Sequence, residues 1–262
     1  MRDFDHLRQP TSAVRYVEAL REGGSLPAIL ELADGRLVVA KFRGAGQGPK
    51  ALIAELVAGE LARAFGLAVP EIMLVDLDPD LARTERDEEV GDLLRASAGL
   101  NLGLTYLPGA LMYDPGAGDP VDAVLASRTV VLDAFVMNVD RTARNPNLLW
   151  CNDGLWLIDH GAAMFWQHDW DGSTAGADRP FGLIAQHVLL PIASELAEAG
   201  RELRSRITEQ TIADVVATIP DAWLVDDPDP DRRRRAYTTY LSARLEATDV
   251  FVQEAIDARA RL

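Results

Sequence analysis

The first part of the chain alternates short apolar runs with turn residues. The runs VRYVEAL, AILEL and LVVAKF are separated by REGGSLP and ADGR. Short runs bounded by Gly, Pro and Asp are typical of β-strands. Asp34 and Gly35 are a strong hairpin signal, because both residue types tolerate the backbone angles of a two-residue turn. Residues 14 to 43 therefore predict three short strands.

A helical pattern follows the third strand. Within ALIAELVAGELARAFGL the large apolar residues lie near one helical face, at Leu52, Leu56, Leu61 and Phe65. Gly66 is placed to end this helix, since glycine readily adopts the left-handed conformation found at helix C-termini. One long helix is therefore predicted after the first strands.

Short elements complete the first hundred residues. VPEIMLVDL predicts a strand, and NLGLTYLPGA predicts another that ends in a turn. Between them, Asp78 and Pro79 are expected to cap a short acidic helix that runs to about Ala98. This part of the chain therefore indicates an antiparallel sheet with one long inserted helix.

The chain is mainly helical from Asp119 onward. A helix is expected from Asp119 and Pro120 through VDAVLASRTVVLDAFVM, and residues 192–218 and 231–262 also have helical patterns. VDDPDPD predicts a polar turn between the C-terminal helices. Strands followed by helices predict an α+β fold.

Two apolar runs in the second part, LLWC and LWLI, form a hairpin pattern. A type I′ turn at Asp153 and Gly154 would place Leu148 opposite Asp159. Asp159 would then leave its strand next to the point where Asn145 approaches the other strand. A carboxylate and an amide could share one metal ion there.

Composition limits the partners. The chain has 262 residues, of which 48% are hydrophobic, so a substantial core can be buried. The 41 acidic residues outnumber the 26 basic ones, for a formal net charge of -15. No block rich in Lys and Arg offers a surface that neutralises phosphates, so nucleic acid is not expected as a partner.

Cys151 is the single cysteine, which excludes an intrachain disulfide. It lies in the apolar run LLWC, where a buried, reduced thiol is expected rather than a nucleophile, and this fits a reducing cytoplasm. The N-terminal MRDFDHLRQP lacks the apolar segment of a signal peptide, and no stretch approaches the ~20 apolar residues of a membrane span. Secretion and membrane insertion are therefore not expected.

Asp140, Asn145 and Asp159 carry the candidate chemistry. Each has a structural explanation by itself, because Asp and Asn are common turn residues. Their combined pattern is D-x-x-x-x-N after a long helix, then an apolar hairpin, then Asp-x-Gly. This is the arrangement of a kinase catalytic loop and its metal-binding Asp. Hard oxygen ligands of this kind suit magnesium bound together with nucleotide phosphates.

The motifs DRTARNPNLLW and LIDHG resemble those of HipA-like kinases and, more distantly, of phosphatidylinositol kinases. Both families share the two-lobed protein-kinase fold. The resemblance implies a small antiparallel β-sheet lobe with one long helix at residues 1–107, and a larger, mainly α-helical lobe at residues 108–262. It also implies that Asp140 is the catalytic base that orients the acceptor hydroxyl, and that Asn145 and Asp159 hold magnesium.

Two positions depart from the family pattern. Thr142 stands where many relatives have a histidine, and His160 replaces the aromatic residue of an Asp-Phe-Gly motif. The position of the loop can therefore differ, although neither change removes an oxygen ligand. Two roles stay open for Asn147, support of the metal ligands or capping of the strand. Trp166 and Trp170 are expected to pack the following segment, and contact with a partner is the alternative.

A kinase also needs a lysine on the third strand and an acid on the next helix. Lys41 ends the run LVVAKF, ahead of the helix that carries Glu55 and Glu60. The two acids lie about 140° apart around the helix, so both cannot point at Lys41. The resemblance favours Glu55, because ELVAGELARAFGLAVP matches the family's spacing from the paired acid to the helix end. Lys41 is therefore expected to reach the nucleotide phosphates and Glu55 to hold it.

The turn REGGSLP lies where a kinase covers the triphosphate. Gly23 and Gly24 would let the backbone approach the phosphates, and the amides near Ser25 could bind phosphate oxygens. A plain hairpin turn would have the same sequence. The phosphate-binding role of this loop therefore depends on the kinase context.

The segment GLTYLPG falls where the resemblance places the hinge between the lobes. Backbone groups of Thr105, Tyr106 and Leu107 are expected to hydrogen-bond adenine, while apolar side chains enclose the ring. A core position for Tyr106 is the alternative.

Together these residues predict a kinase that uses ATP and magnesium and transfers the γ-phosphoryl group to a hydroxyl. The resemblance to HipA-like kinases implies a protein serine or threonine as acceptor. A small-molecule kinase of the same fold would use the same residues. A pseudokinase that binds nucleotide without turnover also stays open, because of Thr142 and His160.

Overall fold

The computed structural model describes Phe4, Leu7 and residues 9–20, 26–84, 87–118 and 120–262. The fold is α+β, as predicted, with a β-rich first part and a mainly helical second part. Gly23, Gly24 and Ser25 lie outside the described residues, and so does Asp119. The glycine loop over the phosphates therefore stays a prediction.

Five strands of the first part close into a small barrel. They are β1 (Thr11–Ala19), β2 (Ala28–Leu32), β3 (Leu37–Lys41), β4 (Ile72–Leu77) and β5 (Gly99–Thr105). Their order is β1-β2-β3-β5-β4, and every neighbouring pair is antiparallel except β1 and β4, which are parallel. The expected antiparallel sheet is therefore wrong at this one pair, which closes the barrel.

The shape of β1 explains the closure. Its pairing with β2 shifts register between Ala13 and Arg15 and again between Tyr16 and Glu18. Such bulges bend a strand and increase its twist. The bent β1 reaches β4, where Thr11 pairs with Val75. An apolar pattern shows which side chains face inward, but it does not predict this curvature.

The barrel interior decides where Lys41 points. Val38 and Ala40 on β3 are fully buried inside the barrel. Gly103 on β5 leaves room for this packing, since a Cβ at this position would lie 3.2 Å from Val38 Cβ and 2.8 Å from Val75 Cγ2. Side chains alternate across a strand, so Lys41 faces outward.

The long helix α1 (Pro49–Phe65) ends before Gly66 as predicted and begins two residues before the predicted start at Ala51. Pro49 occupies the first turn, where a missing N–H leaves no acceptor unsatisfied. Gly66 has a φ of 94° and donates its N–H back to the last turn. Most side chains of α1 are buried, because the helix lies between the barrel and the C-terminal helices. Glu55 is consequently held in the interior.

The acidic helix expected up to Ala98 is divided. Pro79–Thr84 forms a 3-10 helix, and α2 (Glu88–Ala96) starts separately after Asp87. The Asp87 carboxylate accepts hydrogen bonds from the amides of Glu89 and Val90, so α2 has its own N-cap. Asp78 caps the 3-10 helix instead, by accepting a hydrogen bond from the Asp80 amide at 2.8 Å.

The second part contains five described α-helices and a three-stranded sheet. The helices are α3 (Ala123–Val136), α4 (Leu196–Arg206), α5 (Glu209–Val216), α6 (Pro230–Glu246) and α7 (Thr248–Ala260), and the strands are β6 (Leu111–Met112), β7 (Leu148–Cys151) and β8 (Gly154–Leu157). Both stretches predicted to be helical near the C-terminus are confirmed, each divided in two by a short break. Helix α3 starts after Asp122, whose side chain accepts a hydrogen bond from the Leu125 amide, rather than at Pro120. Of the helices described, none is long and apolar enough to span a bilayer.

The turn of the β7–β8 hairpin differs from the prediction by one position. Cys151 pairs with Gly154, so the turn residues are Asn152 and Asp153. Their φ angles are 51° and 57°, as a type I′ turn requires. Asn and Asp are the non-glycine residues that tolerate positive φ best, and here they leave Gly154 to begin the next strand.

The shifted turn changes the register of the hairpin, but the two open ends of its strands still lie side by side. Leu148 pairs with Leu157 instead of Asp159. Beyond the strands, the Ile158 amide donates a hydrogen bond to the Asn147 carbonyl at 3.1 Å. Asp159 therefore emerges beside the loop that carries the other candidate residues.

Candidate active site

Three predicted residues meet at the outer face of the barrel. Lys41 Nζ donates a hydrogen bond to Glu55 Oε2 at 2.6 Å and also contacts Asp159 Oδ1. Glu60 lies elsewhere on α1, where its Oε1 is 3.7 Å from Arg63 Nε. Of the two acids that the sequence offered, Glu55 is therefore the partner of Lys41.

The charges of this group are fixed by their neighbours. Glu55 is fully buried, and burial raises its pKa, but Lys41 and His160 outweigh burial and lower the pKa to about 2. Burial lowers the pKa of Lys41, and the carboxylates of Glu55 and Asp159 outweigh it, so this pKa is raised. Lys41 is 12% exposed, so a fixed positive charge reaches the surface of the cleft.

Asp140 and Asn145 lie together on the loop after α3. Asn145 Nδ2 donates a hydrogen bond to Asp140 Oδ2 at 2.9 Å, and the Asp140 amide donates to Asn138 Oδ1 at 3.1 Å. Asn147 Nδ2 donates to the Asp140 carbonyl at 2.8 Å, so this residue supports the loop at Asp140. The Thr142 amide closes the loop by donating to the Asn145 carbonyl at 3.0 Å. The position of the Asp140 carboxylate is thus set by several hydrogen bonds.

A buried ion pair lies beneath this loop. Arg141 Nε donates a hydrogen bond to Asp133 Oδ2 at 2.5 Å, and His187 Nε2 is 2.9 Å from the same oxygen. The Leu189 amide donates to His187 Nδ1 at 3.0 Å, so the ring hydrogen is on Nε2 and points at Asp133. Asn138 Nδ2 donates to Asp133 Oδ1 at 3.1 Å. The Asp133 network therefore connects α3 with residues on both sides of Asp140.

The sequence pattern did not identify the Asp133 network. Burial raises the pKa of Asp133, but Arg141 and His187 outweigh it and hold the pKa well below its usual range. Burial lowers the pKa of His187, so its ring is neutral at pH 7. The available signal was the charge of Asp133 inside the apolar run VVLDAFV, because a carboxylate on a buried helix face needs a partner.

A cavity of about 300 Å³ lies between the barrel and the β7–β8 hairpin. Many of its lining side chains are apolar, and the predicted site residues in its wall are Lys41, Thr105, Tyr106, Leu107, Asn145 and Asp159. Asp140 is joined to this cavity through its hydrogen bond with Asn145. The structure therefore brings six of the predicted residues, from both halves of the chain, around one cleft.

The hinge residues are only partly open to a ligand. The Thr105 amide donates to the Glu71 carbonyl at 2.9 Å, and the Tyr106 amide donates to the Leu37 carbonyl at 3.0 Å. Among the described residues, the Leu107 amide has no backbone acceptor. Of the three predicted amides, that of Leu107 is therefore the one able to bind a ligand.

Asn145 and Asp159 are the predicted metal ligands, and their chemistry fits magnesium. In the described part of the chain, no group of three or more His, Cys, Asp or Glu residues could hold a metal ion. One amide oxygen and one carboxylate suit an ion that keeps waters and phosphate oxygens as further ligands. Asp159 has a φ of 54°, a conformation that costs energy in a residue with a side chain and is frequent at functional sites.

Trp166 and Trp170 pack as predicted. Trp166 stacks on Tyr240 with ring centroids 3.8 Å apart, and its ring meets that of Trp170 edge-on at 4.5 Å. The Arg233 guanidinium lies 4.2 Å from the centroid of Trp170. The segment that follows Asp159 is thereby attached to α6.

The protein has a kinase-like fold, with its cleft between the barrel and the β7–β8 hairpin. The solved structure of the Helicobacter pylori proinflammatory kinase CtkA is similar, with a TM-score of 0.60 and 12% identity over 95% of this chain and 98% of that chain. Two solved structures of the Golgi casein kinase, one with Mn/ADP bound, have TM-scores of 0.48 and 0.44 and identities of 11% and 12%. They cover 94% and 93% of this chain and 76% and 74% of their own chains.

The sequence identifies the family. Residues 14–253 match the model of the HipA-like kinases, so the chain belongs to that family and is a phosphotransferase. The resemblance seen in the loop motifs is confirmed over most of the chain. No curated protein has a significantly matching sequence.

Proposed function

We propose that this protein transfers the γ-phosphoryl group of ATP to a hydroxyl, with magnesium, and that a protein serine or threonine is the acceptor. One observation carries the proposal: the Lys41 ammonium lies between Glu55 and Asp159 in the wall of the cleft that Asn145 also lines. A fixed cation beside two oxygen ligands suits the phosphates of a nucleotide. The apolar remainder of the cleft suits a base.

The ligand is proposed to lie between two lobes. The N-terminal lobe, residues 1–107, would be β-rich and bind the nucleotide, and the C-terminal lobe, residues 108–262, would be helical and catalytic. The cavity supports this arrangement, because Val39 and Leu104 from the barrel and Leu149 from β7 all line it. Nucleotide would then contact both sides at once.

The nucleotide-binding roles follow from position. Lys41 would neutralise phosphate charge, and Glu55 would keep the ammonium in place. The Leu107 amide would bind the adenine edge, with Thr105 and Tyr106 beside it. Gly23, Gly24 and Ser25 are proposed to cover the phosphates, on the resemblance to the family alone.

Asp140 would align the acceptor hydroxyl. Its Oδ2 accepts hydrogen bonds from Asn145 and, at 3.4 Å, from Asn147, so within the described residues Oδ1 is the oxygen available to a hydroxyl. Asn145 and Asp159 would hold magnesium, which neutralises charge on the phosphates when bound. Alignment of the attacking oxygen and electrostatic stabilisation are the main sources of catalysis in phosphoryl transfer.

Two further expectations accompany this function. Cys151 is free and buried, and we propose a reducing, cytoplasmic environment on that ground. The net charge of -15 makes nucleic acid an unsuitable partner.

Thermal unfolding with and without Mg-ATP tests the nucleotide site. Ligand at ~100 times its Kd adds ~2.7 kcal/mol, which raises Tm by ~2 to 4 °C for each kcal/mol in a chain of this size. ATP with a chelator is the control and should give a smaller shift. The absence of any shift at millimolar Mg-ATP would contradict the site.

Transfer of labelled phosphate tests the reaction. Asp140→Asn should lower kcat by about 10²- to 10⁴-fold, the range for loss of an acid–base group, and Asp159→Asn should lose transfer together with the magnesium-dependent part of the Tm shift. Asp153→Asn, in the exposed hairpin turn, is the matched control and should act like wild type. Equal transfer by all four proteins would refute the assigned roles.

Transfer assays with two kinds of acceptor distinguish a protein kinase from a small-molecule kinase and from a pseudokinase. Soluble protein and a pool of small metabolites are offered separately to the wild-type protein. Labelled protein supports the proposal, and labelled metabolite alone identifies a small-molecule kinase. Nucleotide binding without transfer to either acceptor identifies a pseudokinase.

A further inference from the structure

His160 follows Asp159 directly and is completely buried. Its Nδ1 lies 3.4 Å from Glu55 Oε1, while the other oxygen, Oε2, accepts the hydrogen bond of Lys41. An ionised carboxylate can only accept hydrogen bonds. The contact therefore requires a hydrogen on Nδ1 of His160.

The second ring nitrogen supports this assignment. Nε2 of His160 is buried and has no hydrogen-bond partner among the described residues. Buried N–H groups without partners are rarer than buried acceptors without partners. The contacts therefore favour a hydrogen on Nδ1. His187 has the opposite form, with its hydrogen on Nε2.

The contacts form a closed ring. Lys41 contacts both Glu55 and Asp159, Glu55 contacts His160, and His160 is bonded to Asp159 through the backbone. Asp159 has the left-handed φ of 54°, and such a conformation persists only where its surroundings hold it. Two separate connections therefore attach the Asp159 turn to α1, one through Lys41 and one through His160.

The two connections differ once nucleotide binds. In the proposed function Glu55 keeps Lys41 in place at the phosphate oxygens while Asp159 turns toward magnesium, so the connection through Lys41 weakens at its contact with Asp159. The connection through His160 involves neither group and is unaffected. An aromatic side chain at this position could fill the same space but could not donate this hydrogen bond.

We propose that His160 is a positioning residue, whose hydrogen bond from Nδ1 to Glu55 keeps the Asp159 turn attached to α1 while Lys41 engages the nucleotide. Its effect on catalysis rests on the proposed function. The hydrogen bond itself does not, so the two ideas are tested separately.

Nitrogen-15 NMR of the histidine rings tests the bond in the full chain without nucleotide. The chain has 4 histidines, and the variants His160→Asn and His187→Gln assign the two buried rings. We expect the hydrogen of His160 on Nδ1 and that of His187 on Nε2. A hydrogen on Nδ1 of His160, with or without a second one on Nε2, supports the proposal, and a bare Nδ1 overturns it.

Two substitutions then test the role. His160→Phe fills the space without a donor, whereas His160→Asn carries an amide nitrogen near the position of Nδ1. We expect kcat to fall about tenfold in the Phe variant, the size of one lost hydrogen bond to a charged group, and to recover most of that loss in the Asn variant. The Mg-ATP shift of Tm should be retained in both, because Lys41 is intact.

The outcomes decide between the ideas. A Phe variant as active as wild type, or an Asn variant as impaired as the Phe variant, overturns the positioning role. If either variant fails to fold, the NMR result on the wild type decides whether the bond exists. Absence of Mg-ATP binding by the wild type refutes the proposed function, while the hydrogen on Nδ1 is still read independently.

Discussion

Two buried carboxylates organise the site from opposite sides. Glu55 on α1 and Asp133 on α3 are both fully buried, and each holds one basic side chain and one histidine. Glu55 holds Lys41 and contacts His160. Asp133 holds Arg141 and His187. The chemical composition of the two sets is therefore almost the same.

Their relation to the cleft is different. In the Asp133 set the cation Arg141, which follows Asp140 in the loop, is 1% exposed, and no member of the set is among the described residues that line the cavity. In the Glu55 set Lys41 lines the cavity and contacts Asp159, whose side chain is 43% exposed. We call the Asp133 set the closed set, because it holds a loop in place. We call the Glu55 set the open set, because its Lys41 can exchange partners with a ligand. Changes in the closed set should therefore alter stability, and changes in the open set should alter binding and turnover.

The largest effect is expected in the closed set. Asp133→Ala leaves the Arg141 charge buried without its partner, and such changes cost about 3 to 5 kcal/mol. Tm should fall by roughly 10 °C, at ~2 to 4 °C for each kcal/mol. Urea unfolding monitored by circular dichroism measures the free energy directly.

The control for this experiment is Asp257→Ala, which removes an exposed carboxylate on α7. Surface changes of this kind are usually within about 0.5 kcal/mol of wild type. If both variants had the same stability, the Asp133 network would not hold the loop.

The next effect is expected in the open set and in activity. Lys41→Met removes the ammonium but keeps a side chain of similar length, so phosphate transfer should fall about 10²- to 10³-fold, the range for loss of a preorganised charge-stabilising group. The loss of stability should be smaller than for Asp133→Ala, because Glu55 can bind a proton. Initial rates and the Mg-ATP shift of Tm are the measurements.

Lys50→Met is the matched control for Lys41→Met. Lys50 lies at the start of α1 and pairs with Asp226 at 3.0 Å, away from the cavity lining. Its substitution should leave transfer unchanged. An active Lys41→Met variant would remove the distinction between the open and closed sets.

The two sets also differ in how well the sequence predicted them. Lys41, Glu55 and Asp159 stand in local motifs, a lysine at the end of a strand, an acid on the next helix and an Asp-x-Gly after a hairpin. Those patterns, with the family resemblance, led to the residues that meet in the structure. The Asp133 set depends on His187, which lies 54 positions further along the chain. Unlike Asp159, His187 stands in no recognised motif, so only the charge of Asp133 in its apolar run indicated that a partner was needed.

The fold, like the site, was predicted where local sequence patterns determine it. Element types followed from apolar periodicity, and helix α1 followed from its length and from the glycine that ends it. The hairpin turn was misplaced by one residue, because Asn152 and Asp153 both adopt positive φ here and are the non-glycine residue types that tolerate it best. The barrel closure was missed, because bulges in β1 leave no clear mark on the alternation of apolar residues. Apolar patterns therefore do not predict the exact position of a turn or the curvature of a strand.

Lowering the pH should show how much the ionised Glu55 of the open set contributes to stability. The pKa of Glu55 is lowered from 4.5 to about 2 in the folded protein, so its contribution is fully present above pH 4.5 and is lost as pH falls through 2. The contribution is about 3 kcal/mol, at ~1.36 kcal/mol for each pKa unit. Wild type should therefore lose about that much more stability than Glu55→Gln between pH 5 and pH 2, in urea unfolding. Parallel curves for the two proteins would contradict an ionised, paired Glu55.

The smallest effect sharpens the comparison between the two histidines. His187→Gln can still direct an N–H at Asp133, but it loses the nitrogen that accepts the hydrogen bond of the Leu189 amide. We expect a loss of about 1 kcal/mol, the net size of one ordinary hydrogen bond, and a fall in Tm of ~2 to 4 °C. At a temperature where the variant is folded, kcat should match wild type, because the Asp133–Arg141 pair is intact. His168→Gln, at an exposed position, is the control and should change neither quantity. A loss of kcat in His187→Gln without a loss of stability would mean that this histidine acts on catalysis, and the Asp133 set would then not be a purely structural anchor.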